Sequence, residues 1–189
     1  MTMARNHVHA TLIVGAGFTG LGAAIKLAQA GVNEVVILER GERVGGTWRD
    51  TTYPGASCDI PSLLYSYSFV QNPAWSRTYS PAHEICRHIE DMATELGVRR
   101  HIRFGHTVNG LAFDGSAGVW TATTSKNKQF RARTVVLASG PLSDASFPDI
   151  RGIDSYRGKK ILSARWEHDY DMSGKRVGVI GTGASAIQI

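Results

Sequence analysis

A chain of 189 residues with 42% hydrophobic and 20% charged residues has room for one sizeable globular domain, or one domain and part of a second. The net charge of +5 is scattered, and its densest cluster (Arg99, Arg100 and Arg103 with His101) reads as a solvated edge after a helix, not a nucleic-acid surface. Cys58 and Cys86 make no C-x-x-C or metal pattern and call for no oxidising compartment. The glycines and Lys26 of the apolar segment 10–31 argue against a signal or membrane helix, so the expected location is cytoplasmic, with no nucleic-acid or membrane partner.

Residues 1–9 are polar and expected to fray. His7-x-His9 could suggest a metal, but two terminal histidines without further ligands read as solvated, so no metal site is expected. Thr11-Leu12-Ile13-Val14 is a short β-branched run that feeds into Gly15-Ala16-Gly17-Phe18-Thr19-Gly20, a G-x-G-x-x-G turn. Phe18, Leu21, Ile25 and Ala28 then recur at helical spacing, and Gly31 closes the helix. Val35-Val36-Ile37-Leu38 is a second buried-type strand ending at Glu39, nineteen residues past the third glycine.

Each part of this unit has a physical task. Gly15 permits the tight turn, Gly17 lets a pyrophosphate approach the backbone, and Gly20 lets helix and strand pack closely. The helix N-terminus offers N–H groups and partial positive charge to the phosphates. A carboxylate at Glu39 lies where it accepts hydrogen bonds from an adenosine ribose. A glycine-rich turn without a ligand would leave that acidic strand end unexplained.

Arg40 to Trp48 is a loop rich in glycine and polar residues, and 53–59 and 65–69 continue without helical or strand period. This stretch carries Trp48, Tyr53, Tyr65, Tyr67 and Phe69, which suits either a wall around a flat ring system or a loop tucked against the core. Ser80-Pro81 reads as an N-cap with proline at the first helical position. Ile85, Ile89, Met92 and Leu96 mark the buried face of that helix, and Gly97 ends it. Segments 102–113, 119–124 and 129–133 read as a small antiparallel meander, and Val135-Val136-Leu137-Ala138 as a separate buried strand before Ser139-Gly140-Pro141. Residues 142–174 have no strong period and read as a connection. Arg176 to Ile180 is another parallel-type strand opening into Gly181-Thr182-Gly183-Ala184-Ser185-Ala186, a G-x-G-x-x-A variant of the same turn.

The expected fold is therefore α/β. It comprises a Rossmann-like dinucleotide-binding domain, a parallel sheet plus antiparallel meander, followed by the first strand and turn of a second Rossmann-like dinucleotide-binding domain. The divisions are 1–140, a connection over 141–175, and 176–189. One strand and half a turn of helix cannot bury their own apolar surface, so the reading is a fragment of a longer protein.

Taken together these motifs resemble the N-terminal part of a Baeyer–Villiger type flavoprotein monooxygenase, a relative of the flavin-containing monooxygenases. The resemblance rests on Gly15 to Gly20, Gly45-Gly46-Thr47-Trp48, Tyr53-Pro54-Gly55-x-x-Cys58-Asp59, Tyr65-Ser66-Tyr67-Ser68-Phe69, Ala138-Ser139-Gly140 and Gly181 to Gln188. It implies FAD on the first glycine turn and NADPH on the second. Phe18, Thr19 and Arg40 would join the cofactor-binding set around the first turn, and Glu39 would hold the FAD ribose. Thr47 and Trp48 would lie along the pyrophosphate and flavin, Tyr65 would contact FAD, and Val108 would offer a backbone contact to adenine. Gly181, Thr182, Gly183 and Ser185 would take the NADPH pyrophosphate. Asp59 would sit near the isoalloxazine in a catalytic role, orienting an arginine on a segment outside this sequence.

The implied chemistry is reduction of flavin by NADPH and reaction with molecular oxygen to a peroxyflavin, which oxidises a ketone or a soft heteroatom. The alternatives are a non-catalytic nucleotide-binding remnant, or another two-dinucleotide flavoenzyme such as a disulfide reductase, whose redox cysteine pair the spacing of Cys58 and Cys86 does not provide. The fragment alone is expected to bind FAD weakly and to show no oxygenase turnover.

One departure from the family is plain. Its fingerprint F-x-G-x-x-x-H-x-x-x-W appears as Tyr156-x-Gly158-x-x-x-Leu162-x-x-x-Trp166. An isobutyl group cannot donate, accept or bridge as an imidazole does. Leu162→His in the full-length protein is expected to raise NADPH oxidation, and an unchanged rate would show that this position does not limit coupling.

Overall fold

The computed structural model describes residues 7–189. It divides into two compact units, Met1–Gly46 with Cys86–Pro141 and Thr47–Ile85 with Leu142–Ile189. Of the segment expected to fray, residues 1–6 lie outside the described residues. Val8 and His9 instead belong to the first strand, because its ladder with the strand Gln129–Leu137 begins at Val8.

The first unit is built on one mixed sheet of six strands, in the order β3-β2-β1-β6-β5-β4. β1 (Val8–Val14), β2 (Val35–Leu38), β3 (Ile102–Arg103) and β6 (Gln129–Leu137) form its parallel part. β4 (Val108–Asp114) and β5 (Val119–Thr124) continue it antiparallel through β6. Thr11, Leu12, Ile13 and Val14 align with Val35, Val36, Ile37 and Leu38, so the two apolar runs lie side by side. Buried Leu12, Val36 and Leu38 join Ala122 and Ala132 in one core, with Val108, Leu111, Phe130 and Val135 packed against it. Alternation along the strands directs Ile13 and Ile37, also fully buried, to the opposite face.

Helix α1 (Phe18–Gln29) follows β1 and buries Gly20, Leu21, Ala24 and Ile25. Gly31, at φ +82°, donates its N–H to Ala28 and ends the helix as expected. Two strand expectations need correction. The segment 102–113 is two strands, a short β3 beside β2 and then β4. The expected strands 129–133 and 135–138 are one, β6, which pairs antiparallel with β5 along its first half and parallel with β1 along most of its length. Thr134 leaves the apolar run but not the ladder, and backbone pairing, not side-chain pattern, carries the strand through.

The second unit is largely irregular, with a single helical turn α2 (Thr47–Asp50) and a short helix α4 (Ala184–Gln188). Its loops are tied by backbone bonds, Cys58 N–H to Ser80 O at 2.9 Å and Ala82 N–H to Ala56 O at 2.8 Å. Helix α3 (Ala82–Glu95) buries Ile85, Ile89 and Met92 as expected, together with Cys86 and Ala93, but Leu96 is 42% exposed because the helix has ended at Glu95. The Ser80 hydroxyl lies 2.6 Å from that of buried Ser62, and the Pro81 carbonyl accepts the first helical N–H from Ile85, so Ser80 ties two loops together where a cap was expected.

The expected strand at 176–180 has no regular structure and no ladder partner among the described residues, with Val177, Val179 and Ile180 60%, 51% and 78% exposed. A strand exists only as a partner in a ladder, and no described segment of this chain pairs with this run. The turn that follows it does form, with Gly181 at φ +134° and Gly183 at the start of α4.

Candidate functional site

In the first unit the glycine turn joins the end of β1 to the start of α1, as its spacing requires. Gly15 adopts φ +102°, and Gly17 sits at the N-cap of α1 with no side-chain hydrogen bond closing that helix end. Twelve residues of helix thus begin with backbone N–H groups and the positive end of the helix dipole. Gly45 and Gly46 fold back onto the turn. The Gly45 N–H reaches Ala16 O at 3.1 Å, and a β-carbon on Gly46 would stand 3.1 Å from Gly17 Cα. Two backbones lacking side chains therefore pack directly on each other beside the helix N-terminus, with no β-carbon between them.

Glu39 points inward and is only 3% exposed. Its Oε2 accepts the Ala16 N–H at 2.7 Å and its Oε1 accepts the Gly41 N–H at 2.7 Å. The carboxylate thus braces the glycine turn from the end of β2. Thr19 and Arg40 are exposed beside these elements, and Phe18 is half-buried at the first turn of α1. Val108 is half-buried at the start of β4, paired with Thr124.

In the second unit Trp48 and Tyr65 meet edge to face, ring centroids 5.5 Å apart, and the Trp48 indole N–H donates to the Tyr65 hydroxyl at 2.9 Å. Burial pushes the Tyr65 phenol above its ordinary range, which keeps the hydroxyl protonated. Tyr67 and Phe69 stack at 4.8 Å with planes 6° apart. Thr47 and Asp59 are exposed. Tyr53 serves the loop-packing alternative, not the ring wall. It is buried, and its hydroxyl lies 2.7 Å from Gln188 Oε1 and 3.1 Å from Ser185 Oγ. Gln188 Nε2 in turn donates to Ser57 O at 2.9 Å. The start of α4, including the expected phosphate ligand Ser185, is therefore latched to the Tyr-Pro-Gly loop.

Two features escaped the sequence reading. The packing of Gly46 on Gly17 had a signal in the adjacent glycines at 45 and 46. The Tyr53–Gln188 latch joins residues 135 apart and had none.

A parallel sheet whose first strand runs through a glycine turn into a helix, with an inward carboxylate at the end of the second strand, defines a dinucleotide-binding protein. The model of the pyridine nucleotide-disulphide oxidoreductase family matches residues 12–189, and the chain belongs to that family. It is 50% identical over 184 residues to a Baeyer-Villiger monooxygenase of Streptomyces coelicolor, covering 97% of this chain and 35% of that protein. A Baeyer-Villiger monooxygenase of Pseudomonas aeruginosa is 40% identical over 176 residues, 93% of this chain and 33% of that one. Among solved structures, an oxidized steroid monooxygenase bound to NADP superimposes with a TM-score of 0.83 at 41% identity, covering 96% of this chain and 36% of its own. Cyclohexanone monooxygenase from Rhodococcus sp. Phi1 bound to NADP+ gives 0.84 at 38% identity, covering 96% and 35%. The resemblance to the N-terminal part of these monooxygenases is thereby borne out, and the chain spans about a third of their length.

Proposed function

We propose that this chain forms the N-terminal part of an FAD- and NADPH-dependent monooxygenase acting on a ketone or a soft heteroatom. The observation that carries the reading is the side-chain-free backbone at Gly17, packed by Gly46 and placed at the start of α1, where no side chain caps the helix, with the Glu39 carboxylate bonded to the turn at Ala16. FAD, when bound, supplies the redox chemistry that passes electrons from NADPH to molecular oxygen. The protein's part is binding and orientation.

Gly15, Gly17, Phe18, Thr19 and Gly20 present the turn and its amides to the FAD pyrophosphate. Glu39 accepts from the ribose, Arg40 lies beside it, and Val108 offers its backbone to the adenine. From the second unit Thr47, Trp48 and Tyr65 serve the flavin half, Asp59 orients a cationic partner near the reacting ring, and Gly181, Thr182, Gly183 and Ser185 receive the NADPH pyrophosphate. In this reading residues 1–140 belong to the FAD domain, 141–175 connect, and 176–189 open the NADP domain. Disulfide chemistry fits less well. Cys58 and Cys86 are both buried, and burial pushes the Cys58 thiol up, away from the reactive thiolate.

Flavin fluorescence tests the reading. FAD should bind the 189-residue chain weakly but saturably, ADP should compete, and Gly17→Ala should weaken binding at least about tenfold by filling the space a phosphate needs. Binding indifferent to that methyl would remove the first turn from the site. Steady NADPH-dependent oxygenation by this chain alone would refute the assignment of essential groups to other parts of such a protein.

A further inference from the structure

We propose that His7, His9 and Glu34 form a binding site for a divalent transition metal at the amino-terminal end of the sheet, where none was expected from the sequence. The ligand that His7-x-His9 lacks as a linear motif is supplied by Glu34, the residue before the neighbouring strand β2. His7 Nε2 lies 3.1 Å from Glu34 Oε2, the two imidazoles meet edge to face at 4.3 Å, and one ligand atom from each of the three residues lies within 4.8 Å of the others. A tetrahedral zinc ion with bonds of 2.0–2.1 Å needs its ligands about 3.3 Å apart. One pair already meets that spacing, and small side-chain rotations bring in the third.

The backbone explains why the three converge. His7 immediately precedes β1 and His9 lies within it, two residues apart, and their rings meet edge to face. Glu34 immediately precedes β2, and its carbonyl accepts the N–H groups of Ala10 and Thr11 at 2.9 and 3.2 Å, which locks its Cα beside β1. The two rings and one carboxylate leave a coordination position for water, and imidazole selects zinc, copper or nickel over magnesium or calcium.

The site is separate from the dinucleotide turn. β1 runs seven residues from this cluster to Gly15, a span of about 20 Å at 3.3 Å per residue. Ligands of parallel sheets gather at the carboxyl ends of the strands, and this cluster occupies the other end. A metal here would clamp the beginning of the chain to β2. An ordinary surface ion pair between His7 and Glu34 predicts no metal dependence at all.

Equilibrium dialysis of the 189-residue chain against micromolar zinc chloride decides the matter, with His7→Ala and Glu34→Gln as variants at exposed side chains. The expected result is one zinc per chain. Because loss of an outer-shell partner alone weakens metal binding about 10–100-fold, loss of either direct ligand should weaken it by at least about tenfold. Failure of the native chain to retain zinc overturns the proposal. So does zinc retained equally by both variants, which would place it on other histidines or on the cysteines.

Discussion

Glu39→Ala is expected to lower the stability of the first unit by about 3–5 kcal/mol, since hydrogen bonds to a charged group contribute about 1.5–3 kcal/mol each. Its bonds to Ala16 and Gly41 are short, at 2.7 Å, and both donors are backbone amides in turns that cannot move to other partners without unmaking the fold. Ala16 lies inside the glycine turn and Gly41 begins the following loop, so removal of the carboxylate releases both at once. Glu39→Gln keeps one oxygen acceptor but turns an N–H₂ group toward the other amide, and should cost roughly half as much by the same accounting. Urea unfolding followed by far-UV circular dichroism reads both values. A loss below about 1 kcal/mol for the alanine variant would mean that water reaches the two amides, and that the carboxylate serves a ligand only. The expected result has a functional corollary. The group proposed to accept from the ribose is also the strut that shapes the phosphate turn, so cofactor affinity and stability should fall together.

Much of this was legible in the sequence where the signal was local. The run from Thr11 to Leu38 announces strand, turn, helix and strand because each part buries its own apolar residues and carries its own punctuation in Gly15, Gly20 and Gly31. The same logic does not by itself decide 176–180, which has no ladder partner among the described residues. Val177, Val179 and Ile180 carry as good a strand pattern as Leu12 to Val14, yet only the latter lie in a ladder. Strand character belongs to a pair of segments, and a single sequence shows one member at a time. β6 illustrates the converse. Its two halves have different side-chain patterns because one half faces β5 and most of its length faces β1, and the continuous backbone that joins them leaves no trace in composition. The Tyr53–Gln188–Ser57 latch and the approach of Glu34 to the histidines are long-range meetings of ordinary residues, which no spacing rule announces. Individual cofactor roles for Arg40, Thr47, Asp59 and Val108 came through resemblance alone, because an exposed or half-buried residue in a loop or at a strand start carries no local pattern that marks a ligand contact.

Gly20→Ala should be the most damaging single methyl in the chain, and Gly17→Ala one of the most tolerable to the fold. A β-carbon at Gly20 would stand 1.9 Å from the Gly15 carbonyl oxygen and 3.4 Å from Ala138 Cβ. The first of these is backbone, held in turn by the Gly15 N–H bond to Leu38 O at 2.8 Å, so it cannot step aside cheaply. Alanine gains up to about 1 kcal/mol over glycine in a helix interior, but that is outweighed by overpacking, which costs about 1–3 kcal/mol and more where backbone must shift. A net loss of about 2 kcal/mol or more is expected, with the start of α1 displaced. At Gly17 the same methyl meets Gly46 Cα at 3.6 Å, an ordinary contact, and φ is −85°, which any residue adopts. Its stability should change by no more than about 0.5 kcal/mol, as for substitutions outside strained or crowded sites. The two variants therefore separate what the turn does for the fold from what it does for a ligand. Gly20→Ala should lower the urea midpoint and take FAD binding down with it, whereas Gly17→Ala should leave the midpoint in place and weaken FAD alone. If Gly20→Ala unfolds at the native midpoint, helix and strand have slack at their closest approach, and the requirement for glycine there must come from the ligand.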